Sequence, residues 1–220
     1  MRWILLHGFT GGPRSFGDQD AAVPELPGHG AAPPATSWDD ALASLERLLD
    51  AGPAIVGGYS MGARLALALA LRRPASVARL ILESGSPGIE DDSERANRRA
   101  RDEELATLLE REGVAAFLRV WEANPILAGQ PHEALRPERM RNSAAGLASA
   151  LRHLGQGAQP SLWDAQPLLR VPVLLVAGAL DAKYVALAQR MQGLLPHAQM
   201  NIVEGAGHAP HLAGFSWRNA

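Results

Sequence analysis

The chain has 220 residues, no cysteine and a formal charge of −2. That length suits one domain with a full core, and the missing thiols exclude disulfides, cysteine nucleophiles and cysteine-ligated metals. So slight a charge gives no general attraction to nucleic acid or an anionic membrane.

No apolar run in the sequence reaches membrane-spanning length, and the N-terminus lacks a signal-peptide pattern, so the expected address is the cytoplasm. Trp3-Ile4-Leu5-Leu6 is an unbroken apolar run, expected as a buried parallel strand, and it enters the turn-rich loop His7-Gly8-Phe9-Thr10-Gly11-Gly12-Pro13. A weaker strand is expected over 21–26, interrupted by Pro24 and closed by Pro27-Gly28-His29-Gly30. Ser37 is placed to cap a helix over 38–49, with Asp39 and Asp40 in its first turn. A strand at 54–57, an apolar helix from Met61 and a strand at 77–83 follow. From 90 to about 154 the pattern turns charged and helical, with periods at 103–112, 114–123 and 137–154. A strand at 171–177, a helix at 185–195 and a strand at 199–203 complete the order. Alternating strands and helices predict an α/β fold with a mainly parallel sheet covered on both faces. The stretch 86–160 is expected as a helical cap inserted in this single domain.

The organising motif is Gly58-Tyr59-Ser60-Met61-Gly62, set between strand and helix. A G-x-S-x-G turn there strains the backbone and lifts the serine hydroxyl over the sheet. The N–H of Met61, at the helix start, then faces any oxyanion formed beside Ser60, and Phe9 is placed to supply a second donor. A serine needs a base and an orienting acid. Asp181 follows one strand and His208 another, giving the order Ser, Asp, His of this elbow type. The alternative for Asp181 is a cap on the next helix, and His211 is the rival to His208 as the base. His7 and His29 read as loop organisers.

Arg64 is the one charged residue from Met61 to Leu71. It must meet an internal partner or open into a cleft, because an unpaired buried charge is too costly. If it opens into the cleft, the substrate is anionic, since Arg forks onto carboxylates. The segment beyond adds Arg98 and Arg141 among many arginines, and Trp121 on an apolar face.

The stretches Leu6-His7-Gly8-Phe9-Thr10-Gly11, Leu26-Pro27-Gly28-His29-Gly30, Gly58 to Arg64, Glu83-Ser84-Gly85-Ser86-Pro87-Gly88-Ile89, 94–102 and Met140-Arg141-Asn142 resemble one family. It is that of the α/β-hydrolase-fold 2-succinyl-6-hydroxy-2,4-cyclohexadiene-1-carboxylate synthases of menaquinone biosynthesis. The resemblance implies elimination of pyruvate from a cyclohexene bearing an enolpyruvyl ether, a carboxylate and a succinyl group. It implies Ser60 and His208 as a shared base oriented by Asp181, and an enolate held by the Phe9 and Met61 N–H groups. Tyr59, Arg64, Arg98, Trp121 and Arg141 would bind the small anionic substrate, with no cofactor or metal. Against the family pattern the leading hairpin and closing helix are absent, the segment 14–22 is short where a helix generally stands, and Glu25 replaces the usual Asp. A monomer or a homodimer covering the gap is expected. The rival functions are a serine carboxylesterase or C–C bond hydrolase, and a catalytically silent binding protein.

Overall fold

The computed structural model describes residues 1–17 and 20–219. Five strands, β1 (Arg2–Leu6), β2 (Ala54–Tyr59), β3 (Val77–Glu83), β4 (Val173–Gly178) and β5 (Ala198–Val203), form a parallel sheet in chain order. Leu6 lies beside Gly58, Gly58 beside Leu82 and Leu82 beside Leu175, so the carboxyl ends finish close to level. The loops leaving those ends therefore converge along one rim, where sites on such sheets are built.

Helices supply the crossovers that parallel neighbours require. They are α1 (Trp38–Glu46), α2 (Met61–Arg72), the group α3 (Asp92–Glu122), α4 (His132–Arg139) and α5 (Ala144–Leu154), and α6 (Ala182–Gln192). Alternate strand residues face opposite sides. Ile4, Leu6, Val56, Leu80 and Leu175 share one core with α1, α2 and α6. Trp3, Leu5, Ile81, Leu174 and Val176 face the other way and meet Phe16 and Trp217. Among the described residues, helical cover in this second cluster comes from the 3₁₀ turn Trp217–Asn219. Every residue of α2 from Met61 to Ala70 is buried, as its Ala/Leu composition demands.

Three expectations change. The strand at 21–26 does not form: only Ala22 pairs, exchanging bonds of 2.9 Å with Trp3 and Leu5, and Pro24 has no N–H to extend the ladder. Residues 18 and 19 of the short segment 14–22 lie outside those described. The period at 103–112 belongs to a longer α3, capped by Asp91 through the Glu94 N–H and broken at Gly113, whose φ is 78°. The helix expected at 137–154 is split by a turn over 140–143, after which Ser143 caps α5. α3 and α5 share a small core that includes Leu109, Phe117 and Leu147. Phe9 packs against both this core and the main one, so the β1 loop joins the helical segment to the sheet. Among the described residues no helix is long and apolar enough to cross a membrane.

Candidate active site

Ser60 sits between β2 and α2 with φ 52° and ψ −109°, a region that side chains rarely occupy. Two neighbours make that turn possible. A Cβ on Gly62 would stand 1.9 Å from the Leu6 carbonyl oxygen, and one on Gly58 would stand 2.3 Å from the Gly62 carbonyl oxygen. Only glycine allows β1, β2 and α2 to approach so closely. The Ser60 N–H is anchored to the Glu83 carbonyl at 2.9 Å.

The β4 and β5 loops bring the other two groups in. Gly178 lies against the Gly207 carbonyl, where a Cβ would be 2.1 Å from the oxygen, and the Leu180 N–H donates to Ala206 at 2.9 Å. Held together in this way, the loops set His208 Nδ1 at 2.7 Å from Asp181 Oδ2 and His208 Nε2 at 3.1 Å from Ser60 Oγ. Asp181 makes both contacts the sequence allowed, because its Oδ1 also accepts the Tyr184 N–H at 3.3 Å and caps α6. His208 is almost wholly buried and the Tyr184 ring packs edge-on against it, centroids 4.5 Å apart. With Nδ1–H given to the carboxylate, Nε2 is left as the acceptor that a hydroxyl proton needs.

Ser60 opens into a cavity of about 330 Å³ shared by Phe9, Met61, Arg64, Arg98, Trp121 and His208. Arg64, Arg98, Arg101 and Lys183 line it against a single carboxylate, Asp102. Arg64 makes no internal ion pair among the described residues. Its Nη1 donates to Gln159 Oε1 at 3.0 Å and its Nη2 to the Leu154 carbonyl at 2.7 Å, while Cζ lies 5.9 Å from the Trp38 ring. Burial pushes its pKa down to about 10, so it stays charged at neutral pH. Arg98 donates to Asp102 Oδ1 and Gln156 Oε1, each at 2.9 Å, and Gln156 in turn donates to the Tyr184 hydroxyl at 3.0 Å.

Tyr59 faces a smaller adjoining cavity, with Phe9, Ser60, Gln130, Arg139 and His211. Its hydroxyl accepts from Gln130 at 3.2 Å, and burial raises its pKa. Arg141 is not brought to either cavity. It lies in the turn after α4, half exposed, 3.8 Å from Glu25 and 3.7 Å from Glu138. The buried arginine of that stretch is Arg139, held by Glu122 and Gln130, and the buried Asn142 ties the Thr10 carbonyl to the Gly30 N–H. His7 and His29 organise loops: His7 Nε2 accepts the Leu26 N–H and His29 Nε2 accepts the Thr10 N–H. Gln130, Gln156 and Gln159 escaped the sequence reading, since a neutral amide in a loop carries no charge or period to mark it. Among the described residues no group of three or more His, Cys, Asp or Glu could hold a metal ion.

Residues 3–214 match the model of the alpha/beta hydrolase family. A Bacillus subtilis (strain 168) protein provisionally named 2-succinyl-6-hydroxy-2,4-cyclohexadiene-1-carboxylate synthase is 36% identical, over 95% of this chain and 84% of its own. The Salmonella schwarzengrund (strain CVM19633) protein of that name is 31% identical, over 94% and 86%. The structure of MenH from S. aureus covers 97% of this chain and 88% of its own, with a TM-score of 0.90 and 31% identity.

Proposed function

The chain belongs to the α/β-hydrolase family and, within it, to the 2-succinyl-6-hydroxy-2,4-cyclohexadiene-1-carboxylate synthases, and from that premise we propose how its residues share the work. It is a carbon–oxygen lyase of menaquinone biosynthesis that releases pyruvate. Ser60 Oγ takes the proton α to the succinyl ketone and passes its own to His208 Nε2, while Asp181 holds the imidazole and steadies its charge. The C–H electrons move onto the ketone oxygen, where the Phe9 and Met61 N–H groups receive the negative charge. As the enolate collapses, the C–O bond to the enolpyruvyl group breaks, the ring diene forms, and the departing enolpyruvate takes up the proton held on His208 to become pyruvate, which restores the neutral imidazole.

Arg64 and Arg98 hold carboxylates of the substrate, Trp121 packs against its ring, and Tyr59 closes the far side of Ser60. The segment 86–160 is a cap within a single domain, and the chain works in the cytoplasm. One observation carries this reading: a hydrogen-bonded Ser–His–Asp chain opens into a cavity whose cations outnumber its lone carboxylate. A hydrolase of neutral esters would not need that charge.

An aryl phosphonate and an aryl ester test the assignment of Ser60. We expect stoichiometric phosphonylation of Ser60 with only slow ester turnover. Rapid ester hydrolysis would identify a serine esterase or C–C bond hydrolase, and an unlabelled protein would be a silent binder.

A further inference from the structure

Glu83 is a buried carboxylate that the elimination does not use. Glu83, the last residue of β3, is wholly buried. Its Oε1 accepts two bonds from His211, the backbone N–H at 3.1 Å and Nδ1 at 2.6 Å. Its Oε2 has no hydrogen-bond partner among the described residues. Burying a carboxylate with one oxygen unpaired costs stability, and a neutral acceptor would close the same loop more cheaply.

The place of this pair says what the cost sustains. His211 stands three residues beyond His208, across Ala209 and Pro210, at the start of the 3₁₀ turn Pro210–Ala213. The Glu83 side chain therefore anchors the loop that carries the base. The Glu83 backbone carbonyl meanwhile accepts the Ser60 N–H at 2.9 Å. One residue ties down both halves of the Ser60–His208 contact. Tyr59 lies between the two imidazoles, its ring centroid 5.5 Å from that of His208 and 4.8 Å from that of His211. A shift of the His211 anchor is thus transmitted to His208 through the rigid Ala209-Pro210 link and through the Tyr59 ring.

We propose that Glu83, acting through His211, is a positioning residue that fixes the distance between His208 and Ser60. It touches neither substrate nor reacting atoms. The inference rests on the assignment of Ser60 and His208 as the reacting pair, but not on pyruvate being the product.

The test is the rate at which an aryl phosphonate labels Ser60, compared in wild type, Glu83→Gln and Glu83→Ala, with urea unfolding of each. Phosphonylation needs the Ser60–His208–Asp181 geometry and no elimination. We expect labelling to fall at least tenfold in Glu83→Ala. Glu83→Gln, whose amide carbonyl still accepts from His211, is expected to lose severalfold while unfolding at the wild-type midpoint or above. The low-field ¹H resonance of the His208–Asp181 proton should shift or broaden in both. If Glu83→Ala fails to fold, Glu83→Gln and the resonance decide alone. Wild-type labelling and an unmoved resonance in the folded variants would overturn this inference while leaving the lyase reading intact. An unreactive wild-type Ser60 would overturn both, whereas labelling that drops in the variants of a protein releasing no pyruvate would support the positioning role and refute only the lyase.

Discussion

At the scale of single residues, Arg64 carries most of the argument for an anionic substrate. Its hydrogen bonds go to the neutral oxygens of Gln159 and Leu154, so its charge is oriented but not cancelled. The sequence marked it because a lone guanidinium in an apolar helix has few explanations. Arg141 shows the opposite case: only the family resemblance implied a binding role for it, and the structure leaves it half exposed in the turn after α4, with Arg139 and Asn142 buried instead. A charge assisting a carboxylate contributes about 1.5–3 kcal/mol. Arg64→Ala should therefore lower kcat/KM for the carboxylate-bearing substrate roughly ten- to a hundredfold. Arg64→Lys should restore little of it, because an ammonium cannot fork. Slow turnover of a neutral aryl ester should not change, and an equal loss on that ester would show that Arg64 only holds the fold.

At the scale of elements, what could be read depended on whether one pattern had a single cause. The strands expected at 77–83 and 54–57 and the helix after Ser60 are apolar because they are buried, and the elbow is glycine-rich because backbone passes within contact of backbone. Those features were legible. The segment 21–26 was not, because β propensity says nothing about whether a partner edge is available beyond Ala22. Nor did helical period reveal the turn at 140–143, since Ser143 signals its helix start only through the cap it makes with the Gly146 N–H. Asp181 was ambiguous in the sequence for a good reason: one carboxylate has two oxygens, and the structure uses one to cap α6 and one to hold His208. The glutamines that hold Arg64, Arg98 and Tyr59 are the largest gap, and only the packed loops make them visible.

At the scale of the whole molecule, the loop carrying Phe9 is stitched to the 26–30 turn by two wholly buried imidazoles. Burial pushes the pKa of His7 down to about 4 and that of His29 to about 3, the latter helped by the neighbouring His7. In the unfolded chain both titrate near 6.5. Between those limits the unfolded chain binds protons that the native one refuses, so stability falls as pH falls from about 6.5 toward 4 and then 3. At pH 5 each histidine should cost roughly 2 kcal/mol relative to neutral pH. Urea midpoints at pH 7.5 and pH 5 should differ accordingly, and a flat profile would mean that the two rings are solvated. The loops stitched in this way present one rim on which Ser60, Asp181 and His208 meet. The direct measurement supplies the enolpyruvyl cyclohexene substrate, follows pyruvate with lactate dehydrogenase and the diene by absorbance, and weighs the intact protein during turnover. Pyruvate and diene should appear one for one while the protein mass stays unchanged. A covalent adduct on Ser60, or no pyruvate at all, would contradict proton abstraction as the chemistry of this site.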